Sequence, residues 1–233
     1  MSSVIKKFQV LSGNQLKILA LFAMTCDHVG LQFFPQIVIL RIIGRLAFPI
    51  FAYMIAEGCQ YTKNRTKYLL VIAGFAALYQ AIYFAVMRSV FQCIFVSFTL
   101  AILLIYLLDY GRHRKKWFAW LPFVSVLSAV IFVSGILPYL IPKTGFAIDY
   151  DLWGILLPVG IYLFKNTWLR LAFIAADLSV LAIHAAWYQW FALLVIPLLL
   201  LYSGKRGKWK LKYLFYIYYP LHLAAIYAIA MLL

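Results

Sequence analysis

The sequence predicts an all-α fold, a polytopic transmembrane helix bundle of about nine spans with a cytoplasmic N-terminus. Three observations carry this. The 233 residues are 67% hydrophobic and 12% charged, against roughly 45–50% and 25% in soluble domains. The apolar residues fall into runs near the roughly 20 that cross hydrocarbon as a helix. The basic residues concentrate in alternate connections between those runs, the bias that orients membrane proteins.

The nine runs lie at about 16–35, 39–59, 67–87, 90–109, 117–139, 149–165, 168–184, 187–203 and 212–232. The first follows Lys6 and Lys7 as a signal peptide would, but no small-residue cleavage pattern follows, so it reads as a retained span. The second contains Gly44, Pro49 and Gly58; a proline removes one ladder hydrogen bond, which predicts an irregular helix. The third to fifth are long and apolar, the fifth opening on Trp117 and Trp120, which suit an interfacial belt, as do Trp187 and Trp190. The sixth starts beside Asp149 and Asp151, and the seventh and eighth are short and divided at His184-Ala185-Ala186, which leaves eight to ten spans compatible. The ninth carries Pro220 and His222. Seventeen of the 21 basic residues fall near 6–17, 63–67, 112–116, 165–170 and 205–212, all on one side under this alternation. Residues 1–233 form a single integral membrane domain on this reading.

The net charge of +15 would suit nucleic acid if it lined one solvated face. It lies instead in clusters between apolar runs, so the partner is the lipid bilayer, with no nucleic acid. Cys26, Cys59 and Cys93 have neither paired nor metal-type spacing and read as packing residues. No metal is expected. Lys143-Thr144-Gly145 matches a short penicillin-binding motif, but no serine motif accompanies it.

Charges inside the spans are the informative residues. One charge at mid-membrane costs about 2.5–3.5 kcal/mol on insertion scales, so such groups face a bundle interior and pair. Asp27 and His28 are helix neighbours pointing about 100° apart, so Asp27 does not orient His28. Asp27 is expected to pair with Arg45 or Arg41 across to span two, leaving His28 presented to a cavity. Arg41 and Arg45 are four apart and share one face, fit for an anion, a polarised carbonyl or Asp27 itself. Glu57, near the cytoplasmic end of span two, either accepts a proton or neutralises Lys63 or Arg65. Asp149 is either a site residue or a helix cap, and Asp177 lies mid-span, expected interior with no partner evident.

The stretches "MTCDHVG", "RIIGRLAFPIFAYMIAEGCQYTKNRTKY", "DYDLWGI" and "YLFYIYYPLHL" together resemble the TraX family of polytopic membrane proteins, named for a conjugative-pilin acetylation protein. They also resemble, more loosely, the wider transmembrane acyltransferases. The resemblance implies an acetyltransferase moving an acetyl group from acetyl-CoA to an amine or hydroxyl of a peptide, glycan or small-molecule acceptor. It also implies the bacterial cytoplasmic (inner) membrane. It carries to Asp27, His28, Gly44, Arg45, Glu57, Asp149, Tyr219 and His222.

Acyl transfer from a thioester needs a base and a group that stabilises the tetrahedral oxyanion. An imidazole, with its ordinary pKa of about 6.5, suits the first task. His28 is therefore the expected base or acetyl-accepting nucleophile, with Arg45 and Arg41 at the developing charge and Asp27 positioning them. His222 and Tyr219 complete the cavity. Lys63, Arg65 and Lys208 stand in loops that either meet the acyl-CoA phosphates or express the charge bias alone. The alternative is a proton-coupled transporter using the same intramembrane Asp, His and Glu residues.

Overall fold

A computed structural model describes residues 9–114, 116–208 and 212–232. Lys6, Lys7, Lys115 and Lys210, which enter the charge bias, lie outside the described residues, as does the side chain of Lys212. The described residues are mostly helical, with no strand and only two isolated bridges, Leu11 with Tyr202 and Gln92 with Ile148. The helices are α1 (Gly13–Gln32), α2 (Val38–Gly44), α3 (Ala47–Tyr61), α4 (Arg65–Met87), α5 (Ile94–Arg114), α6 (Leu121–Ile131), α7 (Leu137–Leu140), α8 (Asp151–Leu163), α9 (Thr167–Ile183), α10 (Val195–Leu200) and α11 (Lys212–Leu232). Short 3₁₀ turns lead into α6 and α10 at Trp117–Trp120 and Trp187–Leu194, and a π segment, Phe132–Ile136, joins α6 to α7.

These elements follow the predicted runs in order. Four stretches are long and apolar enough to cross a membrane: Val38–Tyr61, Arg65–Met87, Ile94–Arg114 and Trp117–Leu140. Exposed apolar side chains on α4, among them Leu70, Leu78, Ile82 and Val86, suit a lipid environment. Of the other runs, α1 and α11 reach 20 and 21 residues, and those between α7 and α11 are shorter as helices. Asp151–Leu163 has 13 residues and reaches roughly 20 Å at 1.5 Å per residue, against roughly 30 Å of hydrocarbon.

The chain divides into two compact units, Met1–Met54 with Asn166–Leu233, and Ile55–Lys165. In the first unit, Ser12 caps α1 through a reciprocal box with Gln15. The carbonyls of Lys205 and Arg206 then take the N–H groups of Gly13 and Asn14 at 2.8 and 3.0 Å. The first turn of α1 is thereby tied to the loop before α11. Helix α1 packs on α2 and α11, and the 3₁₀ turn at Trp187–Leu194 packs on α2 and α9. Leu21, Ala23, Met24 and Ala47 form a buried cluster joined by Tyr218 and Tyr219. In the second unit, α5 is the central element, packing on α4 and α8 through Ile102, Ile105, Ile155 and Leu157 among others.

The irregular second span is present, and its break lies at Arg45-Leu46, between α2 and α3. Pro49 cannot donate to the carbonyl of Arg45, and it sits in the first turn of α3, where an N–H would lack a helical partner anyway. Arg45 itself keeps a right-handed helical backbone there, with its N–H on the Arg41 carbonyl.

Candidate functional site

Helices α1 and α2 meet at Gly44. A Cβ placed there would run into the Asp27 side chain, so only glycine admits the carboxylate between the helices. Asp27 then lies between two guanidiniums. Arg41 Nη1 is 3.1 Å from Asp27 Oδ1 and also donates to the Asp27 carbonyl at 3.1 Å. Arg45 Nη2 donates to the same Oδ1. The three side chains are only 15%, 11% and 16% exposed for Arg41, Arg45 and Asp27. Asp27 therefore pairs with both arginines rather than with one or the other.

Two further bonds of Arg45 also turn inward. Nε donates to the Arg41 carbonyl at 3.3 Å, and Nη1 donates to Gln189 Oε1 at 3.1 Å. Both guanidiniums lie over the ring of Tyr188, 5.6 Å from its centroid. Tyr188 and Gln189 come from the 3₁₀ turn after α9, and neither stood out in the sequence. A glutamine and a tyrosine in "AAWYQWF" carry no distinguishing signal without the fold.

One residue beyond Asp27, the His28 ring turns to α11. Its Nδ1 is 2.8 Å from His222 Nε2, with ring centroids 5.0 Å apart. The other nitrogen of His222, Nδ1, lies 2.9 Å from the carbonyl oxygen of Tyr218. A carbonyl only accepts, so His222 Nδ1 carries its proton, and in the neutral ring Nε2 is then the acceptor. His28 Nδ1–H must donate to it. This leaves His28 Nε2 with its lone pair and no partner among the described residues.

The Tyr218 hydroxyl fixes α11 against α1 at the same level. Thr25 Oγ1 donates to the Leu21 carbonyl at 2.9 Å, so at 2.7 Å the Tyr218 hydroxyl donates to Thr25. Tyr219 stands edge-on to His222 at 5.6 Å and packs against the α1 cluster. Lys208 is exposed in the loop before α11. Asp27, His28, Arg41, Arg45, Tyr219 and His222 thus gather in the first unit, and Asp177 on α9 is 3% exposed with neither carboxyl oxygen bonded among the described residues.

Glu57, Lys63, Arg65 and Asp149 belong to the second unit. There Arg65 Nη2 donates to Asp109 Oδ2 at 2.6 Å, and the same oxygen accepts from the Tyr162 hydroxyl at 2.6 Å. Arg65 also lies 5.1 Å from the Tyr106 ring centroid. Its partner is thus Asp109, a carboxylate that the sequence reading did not single out. Glu57 is half-buried on α3, one residue before Gly58, whose bare Cα makes room for the Tyr68 hydroxyl. Lys63 is exposed. Asp149 precedes α8 in a bent stretch where Tyr150 and Asp151 are left-handed, and its carbonyl accepts from Ser97 Oγ at 2.8 Å. The Tyr150 side chain, at the N-cap position, does not cap α8. No group of three or more His, Cys, Asp or Glu side chains fit for a metal occurs among the described residues.

Apolar helices joined by a charge lock and a pair of hydrogen-bonded imidazoles define an all-helical integral membrane protein. The family model described as TraX protein matches residues 12–230, and the chain belongs to the TraX family. It is similar to the probable fimbrial assembly protein FimC, serogroup H1, of Dichelobacter nodosus, 28% identical over 258 aligned residues that cover 95% of this chain and 97% of that one. An uncharacterized protein of Rickettsia prowazekii (strain Madrid E) is 44% identical over 55 residues, 24% of this chain and 22% of that protein. No solved structure matches.

Proposed function

We propose that the chain is a membrane-embedded acetyltransferase that moves an acetyl group from acetyl-CoA to an amine or hydroxyl acceptor in the bacterial inner membrane. The observation that carries the reading is the ordered line from His28 through His222 to the Tyr218 carbonyl. It holds one tautomer of His28 and leaves Nε2 as a bare base. The acceptor's proton passes to His28 Nε2 as its nitrogen or oxygen attacks the thioester carbonyl. The C–S bond then breaks, and the leaving CoA thiolate takes the proton back. His222 stabilises the imidazolium by accepting from its Nδ1–H.

Membership in a family named for pilin acetylation supports the reading, as does likeness to a probable fimbrial assembly protein. Both favour a pilin-type peptide among the acceptor classes of peptide, glycan and small molecule. The nine-span topology with a cytoplasmic N-terminus belongs to this proposal, and Lys208, exposed in the loop before α11, is the first unit's candidate for the CoA phosphates. One observation favours a proton-coupled carrier instead, the unpaired buried carboxyl of Asp177. The test is transfer of labelled acetyl from acetyl-CoA by purified protein to peptides carrying a free amine or hydroxyl. His28→Ala should abolish it while membrane insertion and folding persist; full activity in that variant would remove the mechanism.

A further inference from the structure

Arg45 was the natural oxyanion donor on sequence grounds, but it is hydrogen-bonded inward to Asp27, the Arg41 carbonyl and Gln189. The bond to Gln189 fixes the orientation of a carboxamide. A guanidinium has only donors, so the atom 3.1 Å from Arg45 Nη1 is the oxygen, and the NH₂ lies on the other branch. Gln189 is 4% exposed. Its NH₂ has no partner among the described residues, yet it is not among the buried, sealed polar atoms, which are Tyr106 OH and the two oxygens of Asp177. A buried amide anchored by its oxygen thus keeps an open, pre-oriented donor. The same guanidinium that holds it also holds Asp27, the neighbour of His28.

We infer that the Gln189 carboxamide, rather than an arginine, donates the hydrogen bond that receives the acyl carbonyl oxygen as negative charge develops on it. The inference rests on the acyl-transfer reading. A neutral donor suits the position. It strengthens its bond as the carbonyl becomes an oxyanion, without a free cation drawing an anion into the resting site. Asp27, Arg41 and Arg45 become positioning residues, and Gln189 becomes a catalytic residue.

Gln189→Glu separates the two roles of the side chain, because it keeps an oxygen for Arg45 and deletes the NH₂. Gln189→Met deletes both. CoA release from labelled acetyl-CoA and thermal unfolding are measured for the purified wild type and both variants. Both variants should lose about 10²–10³-fold in kcat, with Gln189→Glu melting at or above the wild type and Gln189→Met below it. To separate donor loss from added charge, the wild type should bind S-acetonyl-CoA about tenfold more tightly than S-propyl-CoA, a preference that Gln189→Met abolishes. Gln189→Glu within threefold of wild-type kcat, or equal binding of the two analogues by the wild type, would overturn the assignment and leave the acyltransferase reading standing. Absence of any acetyl transfer by the wild type would instead remove that reading, and this one with it.

Discussion

Replacing Asp27 by asparagine tests the charge lock with almost no change of shape. In the folded protein one carboxylate oxygen serves both Arg41 and Arg45, and the three side chains are 15%, 11% and 16% exposed for Arg41, Arg45 and Asp27. Breaking a buried pair by removing one partner costs about 3–5 kcal/mol, whereas an exposed pair is worth about 0–1 kcal/mol; this site lies near the buried end. Asparagine keeps an acceptor oxygen, and a neutral hydrogen bond retains about 1 kcal/mol. It also leaves two guanidiniums facing one neutral group. The net cost is therefore about 3 kcal/mol, which for a chain of this size corresponds to a fall of about 6–12 °C in melting temperature. The assay is thermal unfolding of purified protein in detergent, at low salt and at about 0.5 M salt. A shielded pair predicts a difference nearly independent of salt. Melting of Asp27→Asn within 2 °C of wild type, or a deficit that disappears in salt, would refute the lock.

Three further outcomes follow from the same contacts. Gly44→Ala sets a Cβ against the Asp27 side chain and should destabilise by about 1–3 kcal/mol, read as a lower melting temperature. Asp177→Leu removes two buried, unbonded oxygens and should raise stability by about 1–3 kcal/mol, in the same assay; a fall would mean that the carboxyl has a partner in the membrane. Diethyl pyrocarbonate should modify His28 at Nε2 faster than His222, whose two nitrogens are both engaged. His222→Gln, which can still accept from His28, should preserve that rate better than His222→Phe, as followed by peptide mass spectrometry.

Much of the first unit was legible because charge in an apolar run has few physical outlets. Asp27 and the 41/45 pair had to meet something, and their spacing put both arginines on one helix face. His28 with His222 was harder, since 194 positions separate them; each was identifiable as an intramembrane imidazole, but not that one bonds the other. Tyr188, Gln189 and Tyr218 were illegible. Tyr218 acts through a backbone carbonyl that every residue possesses, and Gln189 matters only because the fold brings it to Arg45, 144 positions away in sequence. In the second unit the structure pairs Arg65 with Asp109, 44 residues on, a partner that the sequence did not single out. Local sequence distance is a weak guide to ion pairing when helices return antiparallel.

The direction of the hydrogen bonds bears on whether the imidazoles serve a reaction or a pathway. A proton conduit needs each member to accept on one side and release on the other. His28 and His222 satisfy that requirement between themselves, but the line ends on the Tyr218 carbonyl, which cannot take up a proton and pass it on. Nor does the neighbouring hydroxyl extend it, because Tyr218 donates to Thr25, and Thr25 donates to the carbonyl of Leu21. Both branches stop at backbone oxygen within one turn of where they start. Such a dead end is poor for conduction and good for a base, since it holds one tautomer, aims one lone pair and gives the proton no exit except back to the reacting atoms. The arrangement around His28 therefore favours group transfer over proton-coupled transport, and a carrier reading would have to run through Asp177 instead.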